Sequence, residues 1–129
     1  MSAERTFVRI GALSASLAVA AGAFGAHALR TRMDADLLQV FETAARYQMY
    51  HALALVGVAW ATSRTDATGP RWAGWLFVAG TLLFSGSLYL IALTDTRWPG
   101  AVAPLGGAAW IAGWALLAWT FRPSTPPRL

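Results

Sequence analysis

Cysteine is absent from the 129 residues, which excludes disulfides and thiolate metal sites. Lysine is absent too, so all ten basic residues are arginine. With abundant alanine, glycine and tryptophan, that usage points to a GC-rich bacterial genome. Charge of either sign is scarce, at 12% of residues, about half the share usual in a soluble domain. None of the six carboxylates falls inside a long apolar run, so the intramembrane acid on which a proton or ion relay depends is missing. H-E-x-x-H, G-x-S-x-G, a P-loop and a dinucleotide fingerprint are missing as well, and no enzymatic activity is assigned. The net charge of +4 is spread over termini and loops rather than gathered into a patch. Nucleic acid is therefore not expected as a partner; basic flanks beside lipid headgroups account for the charge better.

What is present is apolar surface, with 57% of the residues hydrophobic. Four segments, residues 7–26, 47–62, 72–93 and 102–121, approach or reach the ~17–25 apolar residues that a crossing helix needs. They are too continuous for barrel strands, which alternate over about ten residues. Unpaired backbone groups are not tolerated in lipid, so the runs must be helices. The expected fold is an all-α membrane protein, a four-transmembrane-helix bundle forming a single domain over residues 1–129. Between the first two spans, Leu37, Leu38, Phe41, Ala44 and Ala45 recur at spacings of three and four. That spacing predicts a short amphipathic helix, with Asp34 placed to cap its start, that continues into the second span. Arg46-Tyr47-Gln48-Met49-Tyr50-His51 would then be the hinge from this surface helix into the second span. Residues 122–129, rich in proline, are expected to form a mobile tail.

Gly11, Ala12, Ala15, Ala18, Gly22 and Ala26 give the first span a small-residue face suited to close helix approach. The same span also has the outline of a cleaved signal peptide, with Arg5 and Arg9 ahead of an apolar stretch and Ala26-His27-Ala28 in A-x-A form. A retained helix is preferred. With four spans both termini share a side, which carries Arg5, Arg9, Arg64, Arg71, Arg122 and Arg128 against Arg30, Arg32, Arg46 and Arg97 opposite. The excess favours cytoplasmic termini.

This topology brings His27, Tyr47, Gln48, His51, Ser85 and Tyr89 towards one membrane face as a candidate polar layer. Tyr47 and His51 share a helix face at i, i+4, and Ser85 and Tyr89 do likewise. Gly22, Gly25, Gly86, Gly106 and Gly107 are candidate packing positions. Such groups most often bond one another across helices, at roughly 0.6 kcal/mol per pair. Three other readings stay open: a lipid or small-molecule site, proton or ion movement, and a haem held by His27 and His51 as paired axial ligands. No cofactor or metal is expected. The lipid bilayer is the expected partner, with a homo-oligomer or a membrane complex also compatible with the small-residue faces.

Gly22-Ala23-Phe24-Gly25-Ala26-His27-Ala28-Leu29 resembles the signature of domain-of-unknown-function family 423, the YgdD-like and transmembrane-protein-256-like small membrane proteins. Three further stretches resemble it in the same order: Tyr47-Gln48-Met49-Tyr50-His51-Ala52-Leu53, Leu83-Phe84-Ser85-Gly86-Ser87-Leu88-Tyr89 and Pro104-Leu105-Gly106-Gly107. The resemblance implies a bacterial inner-membrane protein of about four helices, with relatives in mitochondria-bearing organisms, and brings no established activity, substrate or cofactor. It supports a retained first helix, because cleavage after Ala28 would split the first motif. The resulting expectation is a structural or accessory membrane component; the alternative is a lipid, small-molecule or haem carrier.

Overall fold

The computed structural model of the chain describes residues 2–123, so the tail expected at 122–129 lies outside the described residues from 124 onward. Helix α1 spans Ala3–Phe24 and opens on Ser2, whose hydroxyl accepts the Arg5 N–H at 3.4 Å. It continues through a wider π turn, Gly25–Leu29. Helix α2, Ala35–Arg64, is a single 30-residue rod, about 45 Å long at the usual helical rise. Helix α3, Gly69–Gly80, has Pro70 in its first turn, where the missing N–H costs nothing. A second π turn, Thr81–Ser85, leads into α4, Gly86–Thr94. That rod stops at Asp95, which turns left-handed (φ 50°) and donates its N–H to the Ile91 carbonyl at 2.9 Å. A short 3₁₀ turn, Trp98–Ala101, precedes α5, Ala103–Thr120.

α1 and α2 pack antiparallel along a seam built mostly of three- and four-residue steps. Phe7, Gly11, Ser14, Ala18 and Gly25 on α1 and its π turn meet Val58, Leu55, Ala52, Gln48 and Phe41 on α2. This is the spacing of a shallow left-handed helix crossing. A β-carbon on Gly11 would stand 2.8 Å from the Ala52 carbonyl oxygen, so the two backbones nearly touch there. The α3–α4 rod and α5 approach each other through glycines from both sides. A β-carbon on Gly106 would fall 2.4 Å from the Phe84 nitrogen, and one on Gly80 would fall 2.3 Å from the Trp110 ring. Gly113 lies against the Phe77 ring in the same way. Small residues at these crossings are what helices use when lipid removes any hydrophobic drive to associate.

Three helical stretches are long and apolar enough to cross a membrane: Ala3–Leu29, Gly69–Thr94 and Trp98–Thr120. The expected second span is not among them. The reason is where α2 sits, because eleven of its residues are buried, more than in any other helix, including Gln48 and His51. A helix enclosed by protein can carry alanine and polar groups on faces where the outer helices carry leucine and tryptophan. Two expectations are corrected. The amphipathic segment before Arg46 continues into the next, as expected, and is the first part of α2 rather than a short helix of its own. Residues 46–51, however, form no hinge, since α2 runs through them unbroken. Asp34 does occupy the N-cap position, but its side chain makes no capping bond; its carbonyl accepts from Leu38 instead, at 2.9 Å.

The crossing at Gly106 generates a direct test. Gly106→Ala should destabilise the protein in mild detergent by about 1–3 kcal/mol, the usual effect of overpacking. At Gly107 nothing lies within 4 Å of an added β-carbon, so Gly107→Ala should leave stability within about 0.5 kcal/mol or raise it. Thermal denaturation of the two variants checks the contrast.

Candidate functional site

Gln48 sits near the middle of α2 with its side chain between two other helices. Its Nε2 donates to the Ser14 carbonyl of α1 at 3.0 Å, with the Ser14 hydroxyl at 3.4 Å. Its Oε1 accepts the Tyr89 hydroxyl of α4 at 2.7 Å. A carbonyl can only accept, so the Ser14 contact fixes which end of the amide faces α1, and the tyrosine must donate to the other. One side chain thereby ties three helices together. The neighbouring Ser85 donates to the Ala44 carbonyl at 2.9 Å, adding a second bond between the α3–α4 rod and α2. Phe41 meets Tyr89 edge to face at 5.1 Å and closes the layer on one side.

His51, one turn further on, ties α2 to α5. Its Nδ1 lies 2.9 Å from the Tyr47 carbonyl, and its Nε2 accepts from the Trp114 indole N–H at 3.2 Å. The carbonyl accepts only and the indole donates only, so both bonds form together only when Nδ1 carries the single ring proton. The ring also stacks on Trp110, with centroids 3.8 Å apart and planes within 1°. Trp110 donates to the Phe77 carbonyl at 3.3 Å. Phe84 and Tyr47 complete the aromatic cluster around Trp110, at 4.7 and 5.8 Å.

The expected layer is thus drawn together in part. Gln48, Ser85 and Tyr89 form one hydrogen-bonded group, and His51 with Tyr47 forms an adjoining aromatic one. His27 joins neither, being exposed in the π turn that ends the first rod. The reading left open for a haem between His27 and His51 is not met, since His27 is exposed in the π turn and the second nitrogen of His51 is held by Trp114. Among the described residues no cluster of three His, Asp or Glu is placed to hold a metal ion. Among the candidate packing glycines, Gly25 lies 3.1 Å (as an added β-carbon) from the Phe41 ring and Gly106 meets Phe84. Gly22, Gly86 and Gly107 have nothing within 4 Å.

The depth of the layer also differs from the expectation. Ser14, Gln48 and Trp110 lie near the midpoints of Ala3–Leu29, Ala35–Arg64 and Trp98–Thr120, not near their ends. Only Tyr89 approaches a helix end, and it reaches back to Gln48. Ser14, Trp110 and Trp114 were not singled out in the sequence. The available signal for Trp110 and Trp114 was position, since tryptophans inside an apolar run, away from the interfacial belt, need a partner for the indole N–H. Two largely apolar cavities flank Gln48 between α1 and the α3–α4 rod, of about 290 and 510 Å³, and share Leu17 and Gln48 in their walls. Among the described residues, no buried side-chain nitrogen or oxygen lacks a hydrogen-bond partner.

A double-mutant cycle measures the clamp. Tyr89→Phe and Gln48→Leu should each destabilise the protein, with a coupling of about 0.6 kcal/mol and at most about 1.7. Additive losses would show that the Tyr89–Gln48 bond does not form.

Comparison with known proteins places the chain. The family described as "Protein of unknown function (DUF423)" matches residues 21–107. UPF0382 membrane protein SSP2132 of Staphylococcus saprophyticus is 46% identical over 113 residues, 88% of this chain and 93% of the relative. UPF0382 membrane protein YwdK of Bacillus subtilis is 45% identical over 114 residues, with the same coverage on both sides. UPF0382 membrane protein SAB0533 of Staphylococcus aureus is 46% identical over 115 residues, 88% of this chain and 92% of the relative. No solved structure matches. With an all-helical fold carrying three long apolar helices, and with bacterial membrane proteins as its relatives, the chain belongs to the DUF423 family.

Proposed function

We propose that the protein is a structural or accessory component of the bacterial inner membrane, a single domain in which α2 is a fourth crossing helix and both termini face the cytoplasm. The observation that carries the structural reading is how the polar layer is used. Gln48, Ser85, Tyr89 and His51 bond to other helices or to their own backbone, so their polar groups are engaged in holding the bundle together. The multi-pass reading is supported by the length of α2, about 45 Å against a hydrocarbon core of about 30 Å. Its antiparallel contacts with both α1 and the α3–α4 rod support it as well. Cytoplasmic termini follow from the arginine excess around Arg5, Arg9, Arg64, Arg71 and Arg122.

The absence of cysteine makes the topology testable without altering the background. Single substitutions Asp34→Cys, Ala67→Cys and Thr96→Cys sit in the three connections between rods. A membrane-impermeant maleimide should label Asp34→Cys and Thr96→Cys from the outside, and Ala67→Cys only after the inner membrane is breached. Labelling of residues 34 and 67 from the same side would show that α2 does not cross. The structural role has its own readout. His27→Ala should leave thermal stability within about 0.5 kcal/mol, whereas Ser85→Ala should lower it by about 1 kcal/mol. Equal effects at both positions would contradict a packing layer centred on α2.

A further inference from the structure

We infer that the groove between α2 and α5 is a docking site for one anionic phospholipid, with an acyl chain in the groove and the phosphate at Arg64, on the positive end of the bundle that also carries Arg122. The groove encloses about 450 Å³, and its walls include Tyr50, Leu53, Gly57, Trp60, Trp114 and Phe121. It is almost wholly apolar, and α2 and α5 run parallel here, so its two walls end at the same end of the bundle. Trp60 of α2 and Phe121 just past α5 stack at 6.1 Å and mark that end. Beyond them stand two guanidiniums: Arg64 lies 5.9 Å over the Trp60 ring, and Arg122 lies 4.2 Å over Trp119 while donating to its carbonyl at 2.8 Å. Both arginines are exposed, and among the described residues neither is paired with a carboxylate.

Three properties select the occupant. The first is length: from Tyr50 to Ala61 the groove runs about 16 Å along α2, close to half of the ~30 Å hydrocarbon core, which is one leaflet. The second is charge. The end of the bundle holding Arg64 and Arg122 also carries Arg5, Arg9 and Arg71 against Glu4 and Asp66, whereas in the opposite half Arg30, Arg32, Arg46 and Arg97 are matched by Asp34, Asp36, Glu42 and Asp95. A second copy of this chain would bring the same positive end against itself, while an anionic headgroup neutralises it. The third is geometry at the mouth. The Arg64 guanidinium, held over the Trp60 face at the end of the groove, keeps its N–H edge available to a phosphate oxygen pair while the ring sits at headgroup level. Arg122 adds positive charge at the same end. The groove shares Trp114 with the bond to His51 but none of the Gln48 contacts, and its place in one leaflet rests on the proposed crossing by α2. Lipid retention is read apart from stability, so the two claims fail separately.

Native mass spectrometry of the full chain, released from detergent with equal dioleoylphosphatidylglycerol and dioleoylphosphatidylcholine, reads the site directly. The expected result is one retained lipid per chain, with phosphatidylglycerol preferred by at least about tenfold, the range two guanidiniums at a membrane surface supply. Arg64→Gln with Arg122→Gln should bring that preference to near unity. Gly57→Leu places a side chain in the groove where nothing lies within 4 Å of its β-carbon, and should reduce retention of both lipids at least fivefold. Gly86→Leu, equally open but on another face, should change nothing. Equal retention of the two lipids by the unaltered chain overturns the proposal. So does a preference that survives loss of both arginines, unchanged retention in Gly57→Leu, or a lipid-free dimer that Gly57→Leu converts to monomer. Should Gly57→Leu fail to fold, the arginine pair, exposed and outside the core, still decides the outcome.

Discussion

A primary amide buried midway along a helix has no water to bind, and each of its polar atoms must find a partner on another helix. Gln48 meets that requirement by reaching α1 with its nitrogen and α4 with its oxygen. Satisfying one amide therefore constrains three rods at once, including their rotation about their own axes. If α1 turned by one residue, Ser14 would leave the seam; if α4 shifted by a turn, Tyr89 would lose the amide oxygen. Ser85 against Ala44 and His51 between Tyr47 and Trp114 extend the same logic to the remaining rod. Each such bond is individually modest in a membrane. Their effect is to select one arrangement among the many that apolar packing alone would permit.

That constraint explains the division of labour among the helices. α2 is the least lipid-like of the rods because more of its surface faces other helices, although Leu53, Val56 and Trp60 stay exposed. The others turn their glycines and polar groups towards it or towards one another. α1 contributes Gly11, Ser14 and Gly25, which admit the α2 backbone, the Gln48 amide and the Phe41 ring in turn. α5 approaches the α3–α4 rod through Gly106 and Gly113, and delivers Trp110 to the face of His51. The outward faces are left to leucine, isoleucine and tryptophan, among them Leu13, Leu82, Ile111 and Trp119, all well exposed in the bundle and suited to lipid.

How far this was legible in the sequence depends on the interaction concerned. The apolar runs behind α1, the α3–α4 rod and α5 were plain, because span length is a local property. Helical spacing around Phe41 and Ala44 was also plain, as was its continuation into the next segment, but residues 46–51 fit a hinge and a mid-helix polar patch equally well. Gln48, Ser85 and Tyr89 stood out as polar residues in apolar surroundings. Ser14 did not, because a serine in a helix normally bonds its own backbone; its partnership with Gln48 exists only once two seams are in register. Gly22 and Gly25 belong to one motif and look alike in sequence, yet only Gly25 meets a neighbour within 4 Å, a difference set by helix rotation. His27 and His51 lie in adjacent rods, but shared topology did not bring the two rings onto facing surfaces.

The Gln48 amide is the point on which the account turns, and solid-state NMR of the protein in lipid bilayers examines it directly. With the Gln48 side-chain nitrogen and the Ser14 carbonyl carbon labelled, a direct dipolar contact across the 3.0 Å hydrogen bond is predicted, together with slow exchange of the amide protons with water. A side chain without that contact, whose protons exchange freely with water, would contradict it.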